Sequence, residues 1–311
     1  MTKGNMLKDK IQNKTGGYLF YGLTPPKENT DADKICGIAN RQIERLQGVD
    51  IDGLILYDIQ DETSRIDSER PFPFMSTLAP DEYSNSYLQA LKVPKIIYKS
   101  VGKFTHESLK TWLRVNSDSI DMTVFVGAPS MKQKTCLSLH DAYEIKQNSN
   151  SSMLLGGVTI PERHHVKGDE NTRVFSKIDN GCSFFVSQCV YNIDYSKNFL
   201  SDYYYSSLEE NRDITPIIFT LTPCGSLRTL QFMEWLGISI PRWLNNDLKH
   251  SRNILPKSIE LCKNIANELL EYSNRKNIPI GFNIESVAIR KEEIEASIEL
   301  LKDIRIMQNT K

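Results

Sequence analysis

Short apolar runs recur along the chain, separated by longer stretches in which apolar residues return at helical spacing. The runs occupy 17–24 (G-Y-L-F-Y-G-L-T), 53–57 (G-L-I-L-Y), 94–98 (P-K-I-I-Y), 120–126, 153–160, 182–190, 216–221 (P-I-I-F-T-L) and 279–284 (P-I-G-F-N-I). None alternates cleanly between apolar and polar residues, the pattern of strands buried on both faces. Between them lie helical periods such as Ile35, Ala39, Ile43 and Leu46, or Leu109, Trp112 and Leu113. Strand and helix thus alternate through the chain, which predicts parallel βα units. An open doubly wound sheet shares this periodicity, but eight strands favour closure into a (β/α)8 TIM barrel. The barrel is expected over 17–311 as a single domain, after a polar lead-in at 1–16.

The segment Asp58 to Pro80 is long, charged and broken by prolines, and reads as a functional loop or a solvated excursion. The stretch from Gly156 to Asn192 reads as a strand, a polar loop, an amphipathic helix and a second strand. Its loop and strand ends gather Glu162, Arg163, His164, Lys177 and Gln188.

Composition narrows the picture. The 311 residues are 40% hydrophobic and 25% charged, with 38 basic against 39 acidic side chains. Neither end carries a block of like charge, so no nucleic-acid partner is expected. The cysteines stand singly and read as buried, reduced thiols, with no Cys/His cluster at metal spacing. No apolar leader opens the chain and no run is long enough for a membrane span, so a cytoplasmic protein is expected. The motifs GxSxG, GxxxxGK[ST] and GxGxxG are absent, which excludes the common hydrolase and dinucleotide-binding signatures.

In a parallel barrel the reactive groups follow the strands. Those positions are Thr24, Asp58, Lys99, Gly127, Thr159 with the loop to His165, Gln188, Thr220 with Thr222, and Glu285. Glu170 and Lys177 share one face of the helix after the fifth strand, either gripping a ligand or forming a solvated face. Gln188 is an amide at the end of an apolar strand, and a buried amide needs partners.

These residues, from Y-G-L-T-P-P at Tyr21 to the last strand at Phe282, resemble the methylenetetrahydrofolate reductase family, flavin-dependent barrels that reduce methylenetetrahydrofolate to methyltetrahydrofolate. The family's P-E-x-H signature stands as Pro161-Glu162-Arg163-His164, its acidic residue and lysine as Glu170 and Lys177, and its strand-end glutamine as Gln188. The segment Thr220 to Leu227 looks like the substrate loop, with Leu227 where the family places a folate-stacking phenylalanine. The resemblance implies an oxidoreductase of folate one-carbon metabolism, of the methionine-supplying branch, with NAD(P)H as electron donor and FAD as cofactor. It implies Tyr98, Gly127, Glu162, His164, Glu170, Lys177 and Gln188 at the cofactor, and Gln188, Thr222, Leu227 and Glu285 at a reduced folate or related pterin.

Two family carboxylates are replaced: Gly22 stands at the glutamate of the first strand, and Ala128 at the aspartate after the fourth. In a closed barrel strand eight adjoins strand one, so Glu285 is expected beside Gly22 as the compensating carboxylate, with Gln188 as the second catalytic candidate. Two further readings accompany this one. One is a flavin-free folate enzyme. The other is a folate-binding or regulatory barrel without catalysis.

Overall fold

The computed structural model describes residues 3–63, 68–128 and 135–310; Pro129 and part of the 58–80 segment lie outside them. The eight strands are β1 (Tyr18–Leu23), β2 (Gly53–Leu56), β3 (Lys95–Ser100), β4 (Met122–Val126), β5 (Leu154–Thr159), β6 (Cys182–Cys189), β7 (Ile217–Leu221) and β8 (Ile280–Glu285). They pair in parallel in sequence order, and β8 returns to β1 to close a single-domain (β/α)8 barrel. Each apolar run of the sequence became a strand because each packs on both faces.

The two faces bury different cores. Inward lie Tyr18, Phe20, Ile55, Met122, Phe184 and Ile218, with other apolar residues of the same strands. Outward, residues such as Leu19, Leu54, Ile97, Phe185, Phe219 and Phe282 meet the surrounding helices. Around the barrel run α1 (Lys3–Gln12), α2 (Ala32–Leu46), α3 (Pro80–Tyr87), α4 (His106–Asn116), α5 (Leu139–Gln147), α6 (Pro161–Lys167), α7 (Glu170–Asp179), α8 (Ile193–Glu209), α9 (Leu227–Trp235), α10 (Arg242–His250), α11 (Ile254–Asn274) and α12 (Lys291–Thr310).

Two of these helices were not legible as such. The lead-in folds as α1, whose Leu7 and Ile11 join the inner core and close the end of the barrel where the strands begin. The polar loop after β5 contains α6, started by Pro161 and ended by Gly168 at φ 66°. Proline fits a first helical turn and glycine a left-handed stop, so this sequence is well suited to one short helix.

The paired glycines of β5 have a steric cause. A methyl group on Gly156 would stand 2.5 Å from the ring of Phe184, and one on Gly157 would stand 2.8 Å from Phe185. One glycine admits a ring to the inner core, the other to the outer. At the closed end, Asp52 accepts from the backbone N–H of Leu19 and pairs with Lys10 at 3.2 Å and Arg305 at 2.8 Å. The first and last helices are thereby tied to one carboxylate.

The cysteines depart from expectation. Cys182, Cys189, Cys224 and Cys262 are buried thiols, but Cys36 and Cys136 are exposed. Cys36 falls on the outer side of an amphipathic helix that buries Ile35 and Ala39. Among the described residues no helix is long and apolar enough to cross a membrane, and no group of His, Cys, Asp and Glu could hold a metal ion.

Candidate active site at the barrel mouth

Inward positions of β1 are Tyr18, Phe20 and Gly22, and the register places Gly22 directly beside Glu285 of β8. A Cβ at residue 22 would lie 3.0 Å from the Cβ of Glu285 and 3.0 Å from the hydroxyl of Tyr57. The absent side chain is therefore what gives Glu285 and Tyr57 their room. The Glu285 carboxyl is only partly open to solvent, and burial pushes its pKa to about 7, against the hydroxyl of Tyr57, which lowers it. A carboxyl in that range both holds and releases a proton at neutral pH.

Tyr57 and Asn283 were not singled out from the sequence, yet they build this corner. The side-chain amide of Asn283 donates to the Tyr57 hydroxyl at 2.7 Å and to Thr220 Oγ1 at 3.2 Å. Thr220 in turn donates to the carbonyl of Ser187 at 2.9 Å. With the Tyr57 hydroxyl facing Glu285, a polar chain runs from β6 across β7 and β8 to β2. Burial and the nearby Glu285 carboxyl hold the Tyr57 phenol far above its ordinary pKa, so it stays protonated and can donate. The available signal was Asn283 itself, an amide inside an apolar run, which demands buried partners.

Tyr98 also faces inward, its ring edge-on to Tyr57 with centroids 4.9 Å apart. Gln188 reaches the rim, where its amide donates to the carbonyl of Leu236 at 2.7 Å. The Gly127 carbonyl accepts from Gln60 at 3.1 Å, which ties the end of β4 to the loop after β2. Thr222 is buried, and its hydroxyl accepts from the backbone of Val287 at 3.4 Å. Leu227, by contrast, opens α9 with 48% of its surface exposed.

The residues of the P-E-x-H segment divide. Glu162 is buried, and among the described residues only the backbone N–H groups of Glu162 and Ser239 face its carboxylate, short of full hydrogen-bond geometry. Burial raises its pKa to about 7, and the neighbouring Glu170 charge adds to the rise. It is a second carboxyl poised near neutrality. His164 turns outward toward α8, with Nε2 3.0 Å from Asp202 and its ring edge-on to Phe199.

Glu170 and Lys177 form neither a solvated face nor an open cradle. Glu170 is fully buried and accepts from Thr159 Oγ1 at 3.1 Å, the N–H of Ile160 at 3.0 Å and Arg163 through two nitrogens. This bidentate pair fastens the start of α7 to α6 and to the end of β5. Lys177 turns inward to donate to the carbonyl of Val158, and burial lowers its pKa. A saturated carboxylate and an inward ammonium do not fit as ligands for the ribose and pyrophosphate of FAD.

The sequence model described as Methylenetetrahydrofolate reductase matches residues 142–287, from α5 to the loop after β8. A protein from Clostridium thermocellum, titled as uncharacterised and as binding two copies of 5-methyl-5,6,7,8-tetrahydrofolic acid, is 51% identical. That match covers 96% of this chain and 99% of the other, at a TM-score of 0.86. 2,3-Dimethylmalate lyase, at 12% identity, 100% coverage of both chains and a TM-score of 0.44, is a distant match. So is oxaloacetate acetylhydrolase, at 12% identity, 89% and 97% coverage and a TM-score of 0.44. No curated protein matches the chain. The P-E-x-H segment and the strand-end Gln188 lie within the matched span, and likeness to the clostridial protein extends over almost the whole barrel: the chain belongs to the methylenetetrahydrofolate reductase family.

Proposed function

We propose that this protein binds a reduced folate in the barrel mouth and reduces 5,10-methylenetetrahydrofolate to 5-methyltetrahydrofolate with NAD(P)H, using Glu285 as the proton donor. The observation that carries this reading is the carboxyl of Glu285 beside Gly22, with its pKa near 7 and a tyrosine hydroxyl against it. The folate-binding relative from Clostridium thermocellum supports the ligand class.

In this reaction the bond between N10 and the bridging carbon breaks as Glu285 gives its proton to N10. The resulting N5 iminium carbon accepts a hydride from the nicotinamide, which leaves as NAD(P)+. Tyr57 and Asn283 hold the Glu285 carboxyl in place, and Gln188, two strands away at the end of β6, supplies an amide to the pterin. The proton is then restored from solvent through the open mouth.

The engagement of Glu170, Lys177 and His164 with protein groups favours direct transfer between nicotinamide and folate over a route through FAD. The roles of Glu285, Tyr57 and Asn283 toward folate are the same on either route.

Calorimetric titration with 5-methyltetrahydrofolate tests the binding site. Glu285→Gln is expected to weaken binding at least about tenfold, the loss of a charge-assisted contact. Unchanged affinity would remove Glu285 from the site. Oxidation of NADH and NADPH in the presence of methylenetetrahydrofolate tests the reaction. Binding without turnover under either donor would leave a folate-binding barrel. An absorption spectrum with and without added FAD decides between the two hydride routes.

A further inference from the structure

The connection from β8 into α12 carries a buried carboxyl that the reaction at Glu285 leaves unused. Glu293 is the third residue of α12 and only 1% exposed. A glutamate at this position commonly turns back to the start of its own helix. Here both oxygens face the loop after β7 instead, 3.2 and 3.4 Å from Thr229 Oγ1, with the backbone N–H of Gly225 against them.

Burial works against this arrangement. It raises the pKa of Glu293, against the hydrogen bonds from Thr229 and Gly225 and the charge of Arg290, whose Nη1 is 3.9 Å away. A carboxyl taken out of water with so distant a counter-ion contributes little to stability, so its worth lies in what it fixes. Its own seat is firm. One turn further along α12, the hydroxyl of Ser297 meets that of Tyr21 on β1 at 3.0 Å, and both residues are buried.

What Glu293 fixes is the passage from β7 into α9. Thr229 hands the contact on, since its hydroxyl lies 2.9 Å from Ser226 Oγ, which accepts from the Thr229 backbone at 3.1 Å and caps α9. On the other side of the loop Cys224 donates its N–H to Ser258 at 2.7 Å, and Val287, two residues beyond Glu285, donates to Thr222 at 3.4 Å. The φ of Gly225 lies outside the left-handed region, so its backbone does not call for glycine. Space does: a Cβ there would stand 2.5 Å from Glu293 Cγ and 2.8 Å from its carboxyl carbon.

We propose that Glu293 is a positioning residue of the mouth: it holds the loop after β7 at the rim beside Glu285, in the place that ligand binding requires, and residue 225 is glycine to admit it. The ligand, a reduced folate, rests on the reading above; the dependence of the loop on Glu293 does not. Glu293 acts through the loop and meets no reacting atom, so the proton chemistry of Glu285 is left to Glu285.

The test uses the full chain, with 5-methyltetrahydrofolate as the calorimetric probe and hydrogen–deuterium exchange followed over 222–229. Glu293→Ala is expected to weaken binding about tenfold and to speed exchange in that segment, while the rest of the barrel keeps its protection. Glu293→Gln still accepts from Gly225 and bonds Thr229, so it is expected to bind within about twofold of the unsubstituted protein. Gly225→Ala reproduces the loss, and combined with Glu293→Ala it adds little, because the shortened side chain leaves room for the new methyl group. Unchanged affinity or unchanged exchange in Glu293→Ala overturns the proposal, and so does a Glu293→Gln protein as weak as Glu293→Ala, which would assign the effect to charge. Faster exchange throughout the barrel would mark a general loss of stability and overturn it as well. Losses that add in full in the double variant would overturn the pairing with Gly225. Where the unsubstituted protein binds no 5-methyltetrahydrofolate, the folate reading fails, and exchange over 222–229 alone decides for or against Glu293.

Discussion

Replacing Glu285 by glutamine is expected to stabilise the protein at alkaline pH and to leave it nearly unchanged in acid. The carboxyl titrates near 4.5 when free and at about 7 in the folded chain. Between those values the folded state holds a proton that the unfolded state releases, so stability falls as pH rises through that window. The contribution is complete below 4.5 and lost above about 7. At roughly 1.4 kcal/mol for each pH unit of difference, the ceiling is about 3 kcal/mol. Partial access of solvent to the mouth brings the expected gain to about 2 kcal/mol. Glutamine does not titrate and still accepts from Tyr57, and Glu162 remains in both proteins, so its own titration cancels in the difference. Urea unfolding of both proteins at pH 5 and pH 8, followed by circular dichroism, measures the gain. A gain of equal size at both pH values would refute the reasoning, since it would trace to packing rather than to a buried acid.

Other substitutions report on the same architecture. Gly22→Glu, which restores the family residue, is expected to destabilise the barrel by about 2 kcal/mol and abolish folate binding, because Glu285 and Tyr57 already fill that space; unimpaired binding by calorimetry would show that the corner can open. Arg163→Met removes the bidentate partner of buried Glu170 and is expected to cost about 3 kcal/mol in urea unfolding, the penalty of an uncompensated buried charge. Ile11→Ala is expected to cost about 2 to 4 kcal/mol despite lying in the first helix, because that side chain is fully buried against the inner core.

The barrel was legible because its strands are buried on both faces, so β4 and β7 each stand out as an apolar run broken only by one threonine, Thr123 and Thr220. The helix α1 was not, since its buried residues are Gly4, Leu7 and Ile11, and two apolar side chains make no periodic stripe. At the site, the neighbourhood of Glu285 and Gly22 followed from strand order alone: closure makes the first and last strands neighbours. The fates of Glu170 and Lys177 did not. Helical spacing places two side chains on one face, but whether that face meets solvent, ligand or protein depends on where the helix docks. Here the face meets the end of β5, and Arg163, read as part of a ligand-gripping loop, is the partner that satisfies Glu170.

The glycine pair of β5 makes residues 156 and 184 a single choice rather than two. A side chain cannot enter at Gly156 while Phe184 keeps its ring, nor at Gly157 while Phe185 keeps its own. Drift in this part of the barrel must therefore proceed by paired exchanges, a larger residue on β5 with a smaller one on β6. A library randomised at 156 and 184 together should return folded pairs of complementary size, whereas single replacements at 156 should return almost none.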